Sequence, residues 1–321
     1  MFPNTNFPGA KKYWYMGKFY DWNDAILHPA AHALHYGTSV FEGIRAYTTE
    51  KGPAVFRLPE HVDRLMFSAA SAKMKSPFSK EETVRFIKET ILENGVQGCY
   101  IRPLLFYSYG NLGLIPKASP VELLIAVWEW GAYLGESAGR GAHVYIVPWR
   151  RVHHTQFHMG AKLGGLYIQS TISGLEAREH GADEAVFLNF EGRVAEGPGE
   201  NIFIVKGKTL RTNSGEESIL EGITRTSLIE IARDRGYRVE IGRISKEDFL
   251  TADEAFFSGT AVEVTPIVKV TDGSIRGQSL EAVTLGAGVP GPVTLELSRA
   301  YREIVTGKDS KYEKWLTYIK K

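Results

Sequence analysis

Short apolar runs closed by glycine turns, with a few longer helical stretches set irregularly among them, constrain this chain more than any other feature. Residues 13–16 and 19–22 flank Gly17 and read as a hairpin, because glycine accepts the positive φ of a tight turn. Strands are expected at 40–47 and 54–58 around the turn Lys51-Gly52-Pro53, and Pro59 then suits the first turn of a helix running through Arg64 and Ala70. Ser79 and Glu82 form a capping box for a helix with apolar Val84, Ile87 and Ile91, ended by Gly95. Strands at 99–107 and 121–130 come next. Segment 131–141 is rich in Gly, Ala and Ser and lacks periodicity, so it reads as an interdomain loop between a small N-terminal lobe over 1–130 and a larger C-terminal lobe over 142–321.

The larger lobe is expected to carry a helix at 166–180 stopped by Gly181, strands from 184–190 and from 194 onward paired across Glu191-Gly192, and a strand at 201–205. A helix at 223–235 closed by Gly236, strands at 237–244, 255–258 and 262–270, and a final helix at 292–306 complete the reading. Helices mixed irregularly with hairpins argue for an α/β (mixed α+β) enzyme rather than a doubly wound parallel sheet. A chain of 321 residues exceeds one core, which agrees with two lobes.

Charge and cysteine use narrow the function classes. A net charge of +1 gives no electrostatic reason to invoke nucleic acid. The longest apolar stretch, 121–130, contains Glu122 and Glu129 and is far too short to span a bilayer. A single cysteine, Cys99, makes no internal disulfide, and the N-terminus has neither an apolar signal core nor an Arg-rich transit pattern, so a cytoplasmic address is expected. Cys99 lies in an apolar strand and reads as packing, and Trp14, Trp128 and Trp149 read as core. His153, His154 and His158 lack the H-E-x-x-H arrangement and any adjacent cysteine or carboxylate, so no metal site is expected.

Four stretches could carry chemistry. Lys162 sits among small and apolar neighbours in Met159-Gly160-Ala161-Lys162-Leu163-Gly164-Gly165, and a desolvated lysine can attack a carbonyl to form a Schiff base, although most lysines are solvated surface groups. Glu196-Gly197-Pro198-Gly199-Glu200-Asn201 places two carboxylates on a Gly-rich loop, where one could hold a proton on a pyridine nitrogen or both could belong to a solvated turn. Its glycines do not form a dinucleotide fingerprint. Glu221-Gly222-Ile223-Thr224-Arg225 opens a helix whose free N–H groups suit a phosphate, and Ser258-Gly259-Thr260-Ala261 offers a second cluster of donors, with Arg64 as a possible counter-charge.

Taken together, these pieces resemble the class IV aminotransferases, and among them the branched-chain amino acid aminotransferases. The resemblance rests on His35-Tyr36-Gly37-Thr38-Ser39-Val40-Phe41-Glu42-Gly43-Ile44-Arg45, Tyr100-Ile101-Arg102-Pro103, Trp130-Gly131-Ala132-Tyr133-Leu134-Gly135, the loop from Glu196 to Asn201, and Ser258-Gly259-Thr260-Ala261-Val262-Glu263-Val264-Thr265-Pro266, all in family order. It implies the class IV aminotransferase fold, with a smaller N-terminal α/β lobe and a larger C-terminal lobe around a β pseudo-barrel, and pyridoxal 5'-phosphate as cofactor. By the same resemblance Lys162 holds the cofactor covalently, Glu196 pairs with its pyridine nitrogen, Tyr167 bonds its ring oxygen, and Arg64, Ile223, Thr224 and Thr260 hold its phosphate, with Gly222 and Gly259 also binding the cofactor.

The family also implies that Tyr100, Thr260 and Ala261 receive the substrate α-carboxylate, with Gly43 also in the substrate site, while Phe41, Trp130, Leu112 and Leu114 build an apolar side-chain pocket. Arg102, with Tyr36 and Tyr133, would catch the second carboxylate of glutamate. The implied reaction is a reversible ping-pong transfer from L-leucine, isoleucine or valine to 2-oxoglutarate in a homodimer or larger homo-oligomer, with Tyr36 and Leu114 facing the neighbour. Leu112 stands where methionine is common and Glu129 where proline is frequent, which leaves the pocket size open. A D-amino acid or (R)-amine aminotransferase, an aminodeoxychorismate lyase, and a cofactor-binding protein without turnover remain alternatives at this stage.

Overall fold

The computed structural model describes residues 7–24, 26–131, 134, 137–277 and 280–320. The chain divides into two compact units. One comprises Met1–Gly131, Ala161–Leu166 and Glu303–Lys321; the other comprises Ala132–Gly160 and Tyr167–Arg302. This differs from a division at a single loop, because the short segment around Lys162 and the C-terminal residues pack with the N-terminal unit. The reason is hydrogen bonding: Phe41 N–H donates to the Lys162 carbonyl, and Leu316–Tyr318 pairs antiparallel with Gly52–Phe56.

The first unit is built on an eight-stranded antiparallel sheet. Its order is Leu316–Tyr318, Gly52–Phe56, Ile44–Thr49, Cys99–Tyr107, Val121–Trp128, Lys12–Tyr15 and Lys18–Asp21, with Ser39–Phe41 also paired to Cys99–Tyr107. The first hairpin turns at Gly17, whose φ is 91°, as the sequence predicts. The expected strand at 40–47 is instead two strands broken at Glu42-Gly43. The interruption turns the Glu42 side chain into the core, where it is fully buried.

Helix Leu58–Ser71 packs onto this unit through Leu58, Val62, Leu65 and Ala69, and the same apolar spacing carries His61 and Ser68 inward. Helix Lys80–Asn94 starts with the predicted capping box, in which Ser79 accepts from Glu82 N–H and the Glu82 carboxylate accepts from Ser79 N–H, and stops at Gly95 with φ 69°. Cys99 is buried in the core, which pushes its thiol pKa up to about 12 and leaves it unreactive.

The second unit holds a mixed sheet in the order Arg238–Gly242, Thr209–Asn213, Asn201–Lys206, Glu254–Gly259, Glu263–Asp272, Ala142–Arg150 and Glu184–Leu188, with Ala282–Thr284 added to Glu263–Asp272. Three antiparallel ladders sit between parallel pairs at either side of it, which excludes a doubly wound sheet and agrees with the mixed α/β class. Among the described residues no hydrogen-bonded ladder joins its two outer strands. Helices Tyr167–Glu179, Ile223–Asp234 and Pro292–Val305 lie where the sequence expects them. Trp149 corrects one expectation: it is 41% exposed rather than core, with the Arg276 guanidinium 4.3 Å from its ring centroid. Among the described residues no helix is long and apolar enough to cross a membrane.

Candidate active site

The candidate residues fall in both units, and each set is coherent within its own. In the first unit the helical positions 61, 64 and 68 share one face of Leu58–Ser71, since residues three, four and seven apart are neighbours on a helix. Ser68 Oγ accepts the Lys162 backbone N–H at 2.9 Å, while the Lys162 carbonyl accepts from Phe41 N–H at 3.2 Å. Both backbone groups of Lys162 are therefore pinned. Two close approaches bring this segment in: a Cβ on Gly37 would lie 3.0 Å from Gly165 Cα, and one on Gly164 would overlap the Ser39 side chain. The half-buried Lys162 side chain extends along the Phe41 ring, with Nζ 5.1 Å from the centroid.

Around Phe41 the strands assemble an aromatic cluster that also holds Arg102. The Arg102 guanidinium lies 4.6 Å from the Phe41 ring centroid and 5.3 Å from that of Tyr100, and its Nη2 donates to the Tyr100 hydroxyl at 3.1 Å. Arg102 Nε is buried with no hydrogen-bond partner among the described residues, so the arginine is one bond short. Tyr100 packs edge-on against Trp130 at 4.7 Å, and the Arg45 guanidinium holds the Trp130 carbonyl at 3.0 Å. Gly43 is required here because any Cβ would overlap the Tyr100 hydroxyl. Apolar faces with one under-bonded cation can accept an aliphatic chain or a carboxylate.

Behind this cluster sits a buried ionic network that motif reading did not single out. Glu42 is fully buried and accepts from Arg64 Nε at 2.6 Å, Arg64 Nη2 at 2.9 Å and His61 Nδ1 at 2.7 Å. Burial alone would raise its pKa, but the Arg64 charge and hydrogen bonds, helped by His61, hold the carboxyl well below the usual range. Burial lowers the His61 pKa, assisted by the Arg64 and Lys162 charges and opposed by Glu42, so the ring is neutral and donates its Nδ1 proton. The signal available in the sequence was a lone carboxylate between Phe41 and Gly43 in an otherwise apolar strand.

In the second unit Glu196 is 4% exposed and accepts from Arg151 Nε at 2.9 Å, Leu220 N–H at 3.0 Å and Asn201 Nδ2 at 3.4 Å. Arg151, itself buried, was not singled out by sequence; its Nη1 is braced by Gln169 at 3.1 Å. Of the two carboxylates on this loop, Glu200 folds back to accept Gly199 N–H at 3.0 Å, whereas Glu196 is the one paired with a buried arginine. Asn201 joins two candidate stretches: its amide oxygen accepts Gly222 N–H at 3.0 Å and its amide nitrogen donates to Leu220 O at 2.7 Å.

Gly222 is the N-cap of Ile223–Asp234 and supplies no side-chain cap, so the positive end of the helix keeps its donors, with Thr224 buried in the first turn. A Cβ on Gly259 would meet Gly199 O at 3.3 Å, which brings the turn Gly259-Thr260-Ala261 against the Glu196 loop. Ser258 Oγ beside it is buried without a hydrogen-bond partner among the described residues. Uncapped helix donors, an under-bonded hydroxyl and a glycine approach fit an oxyanion-bearing ligand such as a phosphate monoester. Tyr167 starts helix Tyr167–Glu179 and is half-buried.

Three other expected substrate residues do not join the Phe41 cluster. Tyr36, Leu112 and Leu114 are exposed, at 45%, 42% and 77%, and the Tyr36 hydroxyl donates to Leu112 O at 3.0 Å. Tyr133 lies outside the described residues.

The sequence profile described as Amino-transferase class IV matches residues 39–270. Over 309 residues the chain is 43% identical to the branched-chain-amino-acid aminotransferase of Pseudomonas aeruginosa, covering 96% of this chain and 97% of that protein. Among solved structures, the T.th. branched-chain amino acid aminotransferase complexed with N-(5'-phosphopyridoxyl)-L-glutamate is similar at a TM-score of 0.89 and 43% identity, covering 97% of this chain and 99% of that one. The T.th. protein complexed with 4-methylvaleric acid gives 0.89 at 42% identity, covering 98% and 100%.

Proposed function

The chain belongs to the class IV aminotransferases, and from that premise we propose that it transfers the amino group of L-leucine, L-isoleucine or L-valine to 2-oxoglutarate, reversibly and by a ping-pong route, with pyridoxal 5'-phosphate as cofactor. The observation that carries this reading is the lysine pinned beside an aromatic cluster in which Arg102 Nε has no partner among the described residues. The T.th. relative, complexed in one structure with a glutamate derivative and in another with a branched aliphatic acid, supports one site that takes both kinds of side chain.

When bound, pyridoxal phosphate supplies an aldehyde carbon for the amine and a ring that accepts electrons. Lys162 would hold that carbon and would move the proton at the substrate Cα. Glu196, paired with Arg151, would accept the hydrogen bond of the ring N–H, and Tyr167 would bond the ring oxygen. Arg64, Gly222, Ile223, Thr224, Gly259 and Thr260 hold the phosphate. Tyr100, Gly43, Thr260 and Ala261 receive the α-carboxylate; Phe41, Trp130, Leu112 and Leu114 receive the aliphatic chain; Arg102, with Tyr36 and Tyr133, receives the distal carboxylate.

The exposure of Tyr36 and Leu114 supports a homodimer or larger homo-oligomer in which they face a second copy. A cytoplasmic location accords with a buried, lone cysteine.

The assay that tests the function compares L-leucine with D-alanine, (R)-1-phenylethylamine and aminodeoxychorismate, using 2-oxoglutarate as acceptor where one is needed. Leucine is expected to dominate, and faster turnover of any of the others would overturn the substrate assignment. Replacement Lys162→Ala is expected to abolish the visible absorption band of the purified protein, and a band that borohydride still traps on the chain would refute the role of Lys162.

A further inference from the structure

We propose that Glu42 and His61 are positioning residues that set cofactor affinity by fixing the guanidinium plane of Arg64. The inference rests on the reading of Arg64 as a phosphate ligand. A guanidinium is rigid and planar, so seizing one edge of it at two points determines where the rest points. Glu42 does this with both oxygens, Oε1 on Nε at 2.6 Å and Oε2 on Nη2 at 2.9 Å. The clamp is itself anchored, because His61 Nδ1 donates to Oε2 at 2.7 Å and both His61 and Glu42 are buried.

The three groups come from two elements held in register. Glu42 occupies the break between Ser39–Phe41 and Ile44–Thr49, where its N–H donates to Pro103 O at 3.0 Å. His61 and Arg64 are three residues apart on helix Leu58–Ser71, so they reach Glu42 from one helical face. Burying a carboxylate this completely is costly for a fold that needs only an apolar plug, and the paired cation is partly exposed, with 14% of its side-chain surface accessible. The arrangement spends stability on the direction of a single arginine.

The phosphate group of the ligand provides the discriminating measurement. Apo-protein is titrated with pyridoxal 5'-phosphate and with pyridoxal, which keeps the ring and aldehyde but lacks the phosphate. Replacement Glu42→Gln presents an amide donor to Arg64 and is expected to weaken pyridoxal phosphate by about tenfold or more while moving pyridoxal by less than about twofold. The double variant Arg64→Ala with Glu42→Gln is expected to bind pyridoxal phosphate no more weakly than Arg64→Ala alone, since the clamp has then nothing to hold. His61→Asn, which retains a donor, should keep more of the phosphate preference than His61→Phe.

An equal loss of both ligands, no loss of either, or additive losses in the double variant overturns the proposal. If Glu42→Gln does not fold, the two His61 variants decide, and equal preference in both rejects it. If Arg64→Ala itself leaves the preference for the phosphorylated ligand intact, the phosphate role of Arg64 is what fails. A preference lost in Arg64→Ala but kept in Glu42→Gln rejects the positioning role alone.

Discussion

Replacing Arg102 with leucine separates the two halves of the proposed reaction. In the wild-type protein Arg102 Nη2 is bonded to the Tyr100 hydroxyl at 3.1 Å, while Nε is buried and has no partner among the described residues. A distal carboxylate meeting this guanidinium supplies a charge-assisted bond worth roughly 1.5–3 kcal/mol, so its removal should lower kcat/KM for glutamate and 2-oxoglutarate by about 10- to 150-fold. Leucine brings no partner to Arg102. It loses only contact with a cation lying on the Phe41 and Tyr100 faces, and its single-turnover rate should stay within about threefold. The assay follows the visible spectrum of the cofactor in each half-reaction separately, with thermal unfolding as a control for the fold. An equal fall for leucine and glutamate would mean that Arg102 braces the strand Cys99–Tyr107, and the account of dual recognition would be wrong.

Three further outcomes follow from the geometry. Gly43→Ala forces a methyl into the Tyr100 hydroxyl; it should destabilise by about 1–3 kcal/mol and raise the amino-acid KM, and an unchanged KM would show that Tyr100 is remote from substrate. Glu196→Gln should retain cofactor on gel filtration yet lose about 100-fold or more in rate, and near-normal turnover would remove Glu196 from the chemistry. Burial pushes Glu184 up to about 7, so the folded state keeps a proton that the unfolded chain has released between the ordinary carboxylate range and that value. Its stabilising effect is therefore complete at low pH and is lost as pH rises through about 7; Glu184→Gln should be more stable than wild type by up to roughly 3 kcal/mol above that point and not at pH about 4, as urea midpoints at the two pH values will report, and a pH-independent difference refutes the assignment.

Local signals were readable from the sequence, and partnerships across long separations were not. The capping box of Ser79 and Glu82 involves residues three apart, and Gly17 and Gly95 act on the turns that contain them, so each could be placed without tertiary knowledge. Lys162 stood out because its neighbours are small and apolar. The break in the expected 40–47 strand was hidden because its cause, the pull of Arg64 and His61 on Glu42, comes from a helix farther along the chain. Arg151 was missed for the same reason: nothing near it in sequence announces Glu196. The strands Thr209–Asn213 and Leu316–Tyr318 and the short helix His32–Tyr36 went unassigned, being too short for a period to emerge. Hydrophobicity alone places Trp149 inside, but an indole whose N–H reaches Glu176 can remain at the surface.

The strand Leu316–Tyr318 has a consequence for the order in which the chain can be made and folded. Its partner Gly52–Phe56 is synthesised far earlier, and the register Leu316 to Phe56 closes only after the residues between them have left the ribosome. The segment Ala161–Leu166 imposes a similar delay, since Ser39–Phe41 and Ser68 wait for it. The N-terminal unit is thus first to emerge but last to finish, whereas the unit from Tyr167 to Arg302 has its strands Asn201–Lys206, Thr209–Asn213 and Arg238–Gly242 close together in the chain. Non-local closure is slow and leaves a strand edge exposed in the meantime. Nascent chains arrested before residue 316 should accordingly be the ones that chaperones hold, with the edge of Gly52–Phe56 still unsealed.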